Sequence, residues 1–290
     1  MNPACSPPPL AAVVVDDLLR RSLAEDVGRG DVTTDSCVRP SQPGRAAWVT
    51  REALVVAGLP LLTPLCRLVD AQLTVHGGAS DGGAVAAGTS LATVTGPAHA
   101  ILKVERVALN FLQHLSGVAT ATRRAVDALP PGATTRIVDT RKTLPGLRAL
   151  QRYAVRCGGG HNHRDDLGSA VLIKDNHIAV AGSVHAAINA ARAHAPHTCR
   201  IECEVDTLSQ FDAAQSAGAD VILLDNFSDA DVAEAASRRR STVLLEASGN
   251  ITPARIATLA ALGVDVISIG ALTHSVRAVD IGLDWLGAPT

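Results

Sequence analysis

The stretch IECEVDTLSQFDAAQSAGADVILLD, residues 201–225, contains a complete strand–helix–strand pattern. Its two ends, IECEV and VILLD, are short apolar runs, and the Ala-rich segment between them has the composition of a helix. Similar runs are RIVD (136–139), AVLIK (170–174), TVLLE (242–246) and VISIG (266–270), and the last four of the six runs are roughly 20 residues apart. This alternation predicts βαβ units and a parallel sheet. Because no G-x-G-x-x-G sequence follows the first strand, the pattern favours an α/β barrel over a Rossmann sheet.

The part of the chain before residue 130 has a different pattern. VVVDDLLRRSLAED (13–26) predicts an amphipathic helix, and the segments 46–58 and 73–96 predict short strands separated by Gly-rich turns. The segment 103–129 then predicts one long helix, on which Arg106, Asn110 and Gln113 form a polar stripe beside the apolar one. We therefore expect an α+β domain that precedes the barrel.

Composition limits the possible functions. The net charge is −2, which argues against a general nucleic-acid binder, and no stretch approaches the ~20 apolar residues of a membrane span. The six cysteines are scattered without a C-x-x-C pair, so we expect reduced thiols and a cytoplasmic protein rather than a zinc or disulfide framework. The first 12 residues predict a Pro-rich tail and not a secretory signal.

Polar residues or glycines end each of the six apolar runs. In a barrel the carboxyl ends of the strands meet on one face, where active sites are built. We therefore expect these side chains to share one mouth, together with the loop RCGGGHNHR (156–164). The candidates are Arg141, Lys142, His163, Arg164, Lys174, Glu204, Asp225, Ser248, Gly249 and Gly270.

The charges in this set indicate an anionic ligand. Arginine and lysine bind carboxylate and phosphate, and the backbone of glycines 158–160 and of SGN (248–250) can present N–H groups to an anion. Glu204 and Asp225, on neighbouring strands, suggest Mg²⁺, which is commonly held by carboxylates and substrate oxygens. Other interpretations stay open for single residues: surface charges, helix caps, a His161–His163 metal pair, or Lys174 as the Schiff-base lysine of an aldolase.

Nine motifs in order resemble the quinolinate phosphoribosyltransferase family, over residues 18–286. The motifs are EDVGRGDVTTD (25–35), RVALNFLQHLSGVAT (106–120), DTRKTLPGLR (139–148), YAVRCGGGHNHR (153–164), LIKDNH (172–177), ECEVD (202–206), ILLDNF (222–227), LEASGNI (245–251) and GALTHSVRAVDIGLDW (270–285).

The resemblance implies a fold and an assembly. The fold is an incomplete seven-stranded α/β barrel plus an α+β open-faced sandwich domain, to which the C-terminus returns. We accordingly predict a sandwich domain of residues 1–115 with 276–290 and a barrel domain of residues 116–275. The resemblance also implies a homodimer or higher homo-oligomer in which one subunit closes the active site of the other.

The resemblance further implies an activity and roles for individual residues. Members of the family transfer phosphoribose from phosphoribosyl pyrophosphate to quinolinate and release pyrophosphate and CO₂, in NAD biosynthesis. Arg141, His163, Arg164 and Lys174 would hold the quinolinate carboxylates, with Arg106 of the partner subunit. Lys142 and Lys174 would contact phosphoribosyl pyrophosphate, with Glu204 and Asp225 on its ribose and Mg²⁺. The 5′-phosphate would lie against Ser248, Gly249, Gly270 and His274.

Two positions depart from what the resemblance assigns. His161 receives no role, and HRDDLGSA (163–170) differs from the family just after Arg164. The alternatives to the main interpretation are a nicotinate phosphoribosyltransferase, which has one substrate carboxylate fewer to bind, and a repurposed relative outside NAD synthesis. Intact Lys142, Glu204 and Asp225 argue against an inactive copy.

Overall fold

The structure, a computed structural model, describes residues 10–287. Residues 1–9 of the predicted tail lie outside the described residues. The chain forms two compact units: the first comprises the residues up to Arg123, Thr143–Gly159 and the residues from Thr273, and the second comprises Arg124–Lys142 and Gly160–Leu272. Within residues 10–287, no helix has both the length and the apolar character needed to cross a membrane.

The first unit combines helices with an antiparallel sheet, as predicted. Its strands are β1 (Pro43–Thr50), β2 (Leu54–Val55), β3 (Thr74–Gly77), β4 (Ala84–Val85), β5 (Ser90–Pro97) and β12 (Ile281–Gly287). Four of them form a sheet with the order β12-β1-β5-β3, and β2 pairs separately with β4. Its helices are α1 (Ala12–Val27), α2 (Val32–Cys37), α3 (Leu62–Val69), most of α4 (Ala98–Asp127) and α5 (Arg148–Cys157).

Helix α4 buries its apolar stripe in the core of the first unit. Val104, Leu112 and Leu115 are at most 1% exposed and belong to the same buried cluster as Trp48. The predicted polar stripe on this helix divides in two. Arg106 and Asn110 are exposed, whereas the Gln113 amide donates to the Ile281 carbonyl at 2.7 Å. Gln113 therefore ties the returning C-terminal segment to α4 and is not part of an exposed polar surface.

The second unit contains the parallel sheet. Its strands are β6 (Arg136–Val138), β7 (Val171–Ile173), β8 (Ile201–Val205), β9 (Val221–Asp225), β10 (Leu244–Ser248) and β11 (Val266–Ser268), in the order β6-β11-β10-β9-β8-β7. The helices between them are α6 (Asp175–Ala181), α7 (Val184–His194), α8 (Leu208–Ser216), α9 (Asp229–Arg238) and α10 (Pro253–Ala261), and the short α11 (Ala271–His274) follows β11. The first and last strands, β6 and β11, pair with one another, which gives the sheet the strand order of a barrel.

His161 extends this sheet beyond β6 and occupies the place of a seventh strand. The residue forms a single parallel bridge with Val138, and its N–H donates to the Ile137 carbonyl at 2.8 Å. In the described sheet, His161 and β7 are the two edges, so the barrel is incomplete and open between residues 161 and 171. The loop that carries His163 and Arg164 spans this opening.

Four helices of the second unit begin at a hydroxyl side chain that accepts a hydrogen bond from the backbone N–H three residues later. This arrangement satisfies a donor that the first helical turn leaves free. Each cap lies a few residues beyond the carboxyl end of a strand or of the preceding helix. The capping residues are Ser183, Thr207, Ser228 and Thr252.

The compact units differ from the predicted domains in three segments. Residues 116–123, 143–159 and 273–275, which the sequence division assigns to the barrel, belong to the first unit. Val118, Ala119, Leu150 and Ala154 are fully buried in the cluster that contains Trp48. Their apolar faces pack with the first unit even though they lie between barrel elements in the sequence.

Candidate active site

A cavity of about 460 Å³ lies within the second unit at the carboxyl ends of the parallel strands. Its walls combine cations, carboxylates and hydroxyl groups, with only two apolar side chains. The lining residues are Thr140, Arg141, Lys142, His163, Arg164, Leu172, Lys174, Glu204, Leu223, Asp225, Glu246, Ser248 and Ser268.

Eight of the twelve site residues predicted from the sequence line this cavity. Gly249 directly follows Ser248, and Gly270 comes two residues after the end of β11. The remaining two, Arg106 and His274, belong to the first unit, where both side chains are exposed. His274 Nδ1 lies 2.6 Å from the hydroxyl of the neighbouring Ser275.

Lys174 and Glu204 form an ion pair across neighbouring strands. Lys174 directly follows β7, where helix α6 begins, and its backbone N–H donates to His177 Nδ1 at 3.0 Å. Glu204 is at the fourth position of β8, so its side chain shares a face with Glu202. The side chain of Lys174 is 42% exposed and that of Glu204 14%, which leaves the ammonium group accessible from the cavity.

Asp139 orients the loop that spans the barrel opening. It is fully buried after β6. One carboxylate oxygen accepts a hydrogen bond from the His163 backbone N–H at 2.8 Å, and the other accepts from the Asn162 amide at 2.5 Å. Because both bonds reach residues after the glycine run, Asp139 sets the position from which His163 and Arg164 enter the cavity.

His163, Glu202 and Glu246 form a buried trio. The His163 Nε2 atom lies 3.3 Å from a Glu202 oxygen and 3.4 Å from Glu246 Oε1. Glu202 is 7% exposed and Glu246 3%. The contact to Glu246 is an ion-pair distance without hydrogen-bond geometry, because Oε1 of Glu246 has no hydrogen-bond partner among the described residues.

At neutral pH the trio holds one proton more than a neutral imidazole and two ionised carboxylates would hold. Burial alone would lower the pKa of His163, but the two carboxylates outweigh it and raise that pKa to about 10. Burial also raises the pKa of Glu202. The backbone N–H of Arg164 donates to His163 Nδ1 at 2.7 Å, which favours a lone pair there, so the extra proton is shared between the imidazole and Glu202, one oxygen of which lies 3.3 Å from His163 Nε2. The trio therefore carries about one negative charge instead of two.

Arg164 and Arg141 bring two guanidinium groups into the same cavity. Burial lowers the pKa of Arg164, and the positive charge of Arg141 acts in the same direction. The Arg164 guanidinium also donates to the Ala170 carbonyl at 3.2 Å, which fixes its side chain across the loop. Two neighbouring guanidinium groups repel one another, and an anionic ligand bound between them relieves that repulsion.

The loops after β9 and β10 contact one another at the cavity edge. Asn226 and Asn250 have positive φ angles of 55° and 51°, and Gly249 has φ 90°. The Asn226 N–H donates to the Ser248 carbonyl at 3.1 Å. A Cβ atom on Gly249 would lie 2.1 Å from Asn226 Oδ1, so the close approach of the two loops requires glycine at this position.

Sequence reasoning placed Glu246 among the polar strand ends at the mouth, but it gave neither Glu246 nor Glu202 a role at the site. A signal for Glu202 exists in IECEV, because Glu202 and Glu204 alternate with apolar residues and must share the interior face of β8. Glu246 lies on β10, which is separated from β8 by β9, so its approach to His163 depends on the curvature of the sheet.

Comparisons with known proteins agree with this geometry. The family model described as "Quinolinate phosphoribosyl transferase, C-terminal domain" matches residues 118–284, and the corresponding N-terminal domain model matches residues 31–116. The chain is 46% identical, over 92% of its length and 96% of the relative, to the nicotinate-nucleotide pyrophosphorylase [carboxylating] of Mycobacterium leprae (strain TN).

Solved structures give the same result. The crystal structure of NadC from Streptococcus pyogenes matches with a TM-score of 0.91 and 39% identity, over 96% of this chain and 99% of that one. Human nicotinic acid phosphoribosyltransferase matches with a TM-score of 0.63 and 17% identity, over 89% of this chain and 74% of that one, a likeness of fold alone. By its sequence and its structure, the chain belongs to the quinolinate phosphoribosyltransferase family.

Proposed function

We propose that this enzyme transfers phosphoribose from phosphoribosyl pyrophosphate to the ring nitrogen of quinolinate, with release of pyrophosphate and CO₂ and formation of nicotinate mononucleotide. One observation carries the proposal: the cavity brings four arginine and lysine side chains and His163 together with the carboxylates of Glu204 and Asp225. Quinolinate carries two carboxylates, and phosphoribosyl pyrophosphate carries phosphates and ribose hydroxyls. This combination of charges suits both substrates.

Quinolinate would bind to Arg141, His163, Arg164 and Lys174. The neighbouring guanidinium groups of Arg141 and Arg164 support this assignment, because planar forks bind carboxylates through two parallel hydrogen bonds. The proton retained by the trio around His163 supports it too, because it halves the negative charge that an anionic ligand meets. His163 would thus act on quinolinate in two ways, by direct contact and by lowering the negative charge of the trio.

Phosphoribosyl pyrophosphate would bind on the opposite side of the cavity. Lys142 and Lys174 would contact its phosphates, and Glu204 and Asp225 its ribose hydroxyls. Its 5′-phosphate would lie against Ser248, Gly249, Gly270 and His274. Among residues 10–287, no acceptor is found for the backbone N–H groups of Gly249 and Asn250, which suits an anion at this point.

Mg²⁺ fits the same part of the cavity. Glu204 and Asp225 are oxygen donors on adjacent strands and line one cavity, and hard oxygen ligands suit Mg²⁺ better than zinc. When bound, Mg²⁺ would neutralise charge on the pyrophosphate as it leaves. Lys174 already neutralises part of the charge on Glu204, so metal binding requires that this ion pair open or reorient.

The chemistry needs positioning and charge stabilisation more than proton transfer. The quinolinate nitrogen has no proton to lose, so its attack on the anomeric carbon needs no general base. Charge accumulates on the departing pyrophosphate, where Lys142 stabilises it. The positively charged pyridinium ring then stabilises the electron pair of the adjacent C–C bond as CO₂ leaves, and the ring carbon takes up one proton from solvent to give nicotinate mononucleotide. No residue forms a covalent intermediate.

A homodimer with shared sites would complete the cavity. Arg106 is exposed on α4 next to the exposed Asn110, where a partner subunit can reach it. In an isologous dimer the same helix faces each partner, so two equivalent composite sites result.

The decisive experiment compares quinolinate with nicotinate in the presence of Mg²⁺ and phosphoribosyl pyrophosphate. Quinolinate should yield nicotinate mononucleotide and CO₂ in equal amounts. Nicotinate should be a far poorer substrate, because it lacks the second carboxylate that the half-buried cations of the cavity would bind. Comparable kcat/KM values for the two acids, or turnover of quinolinate without CO₂ release, would contradict the proposal.

A further inference from the structure

Arg255 links the two loops that follow β9 and β10. It is the third residue of α10, and its side chain is only 18% exposed. One guanidinium nitrogen donates to the Gly249 carbonyl at 2.7 Å, and a second donates to the Phe227 carbonyl at 2.5 Å. The third, Nε, donates to the Asp229 carboxylate at 3.2 Å. One side chain therefore fixes the backbone at two points and the start of α9 at a third.

Both carbonyl groups belong to segments that carry proposed substrate ligands. Phe227 is two residues after Asp225, and Gly249 directly follows Ser248. In a trans peptide the C=O and the next N–H point in opposite directions. When Arg255 holds the Gly249 carbonyl, it therefore turns the N–H of Asn250 away from itself, toward the other side of the loop.

The loops have little other support for this conformation. Asn226 and Asn250 occupy the left-handed region, which costs a non-glycine residue free energy even though asparagine adopts it more often than most residues. The direct bonds between the loops are Asn226 N–H to the Ser248 carbonyl at 3.1 Å and the Asn250 amide to Asn226 Oδ1 at 3.3 Å. The charged guanidinium adds two stronger bonds, since hydrogen bonds that involve an ion are about twice as strong as neutral ones.

We infer that Arg255 is a positioning residue for phosphoribosyl pyrophosphate: it holds the Asp225–Phe227 and Ser248–Asn250 segments in the conformation that receives the ribose and the 5′-phosphate. The inference rests on the proposed function for the identity of the ligand. Arg255 does not touch the substrate, because its three kinds of donor are directed at protein acceptors. A lysine cannot replace it, since a single ammonium group cannot span two carbonyls and a carboxylate in this fork geometry.

The test compares Arg255→Met and Arg255→Lys with the control Arg238→Met. Arg238 is also an arginine on a helix of the second unit, and it pairs with Asp212 and Glu234 at the surface, away from the two loops. Binding of ribose 5-phosphate is measured by calorimetry, and hydrogen exchange is measured in peptides that cover residues 226–229 and 249–252. Steady-state kinetics gives separate KM values for the two substrates.

Arg255→Met should weaken ribose 5-phosphate binding and raise the KM for phosphoribosyl pyrophosphate by on the order of 10-fold, the effect of losing charge-assisted hydrogen bonds. The KM for quinolinate should stay unchanged, exchange in both peptides should rise, and Arg238→Met should behave as wild type. Arg255→Lys should show the same changes to a smaller degree, so the test stands even if the methionine variant folds poorly.

Two results would overturn the inference. Faster exchange with unchanged ribose 5-phosphate binding would make Arg255 purely structural, and weaker binding with unchanged exchange would make it a direct ligand. Failure of the proposed function is distinguishable from both. In that case wild-type protein does not convert quinolinate, whereas the exchange measurement still reports whether Arg255 holds the loops.

Discussion

Replacement of Glu246 by Gln tests the proton held by the buried trio. The change keeps the size of the side chain and removes one of the two carboxylates that face His163 Nε2 at 3.3 and 3.4 Å. These carboxylates raise the pKa of His163 from 6.5 to about 10 against the opposing effect of burial. A rise of that size corresponds to about 5 kcal/mol of preference for the protonated form.

The two carboxylates are at similar distances, so each supplies about half of their combined effect, and that combined effect exceeds the net rise because burial opposes it. Loss of one therefore removes about 2–3 kcal/mol or more, which lowers the pH at which the proton leaves by about 2 pH units or more. The direction in which the KM for quinolinate changes with pH follows from the charge of the trio. As pH rises and the proton leaves, the trio becomes more negative and repels the quinolinate dianion.

The assay is the KM for quinolinate measured from pH 6.5 to 10. In wild type it should stay flat until the pH approaches 10, whereas in Glu246→Gln the rise should begin near neutral pH. The KM for phosphoribosyl pyrophosphate serves as an internal reference, and Glu234→Gln, which removes an exposed carboxylate on α9, is the matched control. Superimposable profiles for wild type and Glu246→Gln would refute the reasoning.

Four further predictions follow from the cavity. Lys142→Ala should reduce kcat/KM by on the order of 10²–10³ with unchanged circular dichroism, and near-normal turnover would contradict its role. Glu204→Gln and Asp225→Asn should each weaken Mg²⁺-dependent binding of phosphoribosyl pyrophosphate in a calorimetric titration, whereas full activity in EDTA would exclude a metal. Mixing inactive Arg106→Ala and Lys142→Ala subunits should restore at most about a quarter of wild-type activity, since half of the dimers are mixed and each has one intact site; no recovery would place Arg106 in its own subunit's site. Gly249→Ala should lower the melting temperature, because a positive φ angle costs a non-glycine residue about 1–3 kcal/mol and the added Cβ meets the neighbouring loop, and an unchanged melting temperature would show that the loops separate without cost.

The parallel sheet was predictable because its strands carry a clear periodic signal. The strands at 201–205 and 221–225 have the predicted bounds. The next was predicted two residues early, at 242–246 instead of Leu244–Ser248, because the Val243 N–H closes a turn onto the Arg240 carbonyl. The seventh position at His161 has no such signal, since a single bridged residue after three glycines shows no alternation.

The cavity was predictable only in part, for a geometric reason. Residues at strand ends, such as Lys174 and Asp225, could be assigned to one mouth because parallel strands end on the same face. The trio depends instead on which interior side chains meet across the curved sheet, and Arg255 depends on how the first turn of a helix packs against two loops. Neither follows from spacing along the chain.

In each of the two large sheets the first strand in the sequence pairs with the last, and this pairing has a consequence for biosynthesis. Trp48 on β1 pairs with Leu283 on β12, and Ile137 on β6 pairs with Ile267 on β11. A nascent chain therefore cannot complete either sheet before its last strands leave the ribosome. At translation rates of about 5–20 residues per second, the edge of β1 that pairs with β12 stays unpaired for on the order of ten seconds or more. During that interval this edge of β1 is unpaired, and an exposed strand edge is a site at which other chains can pair.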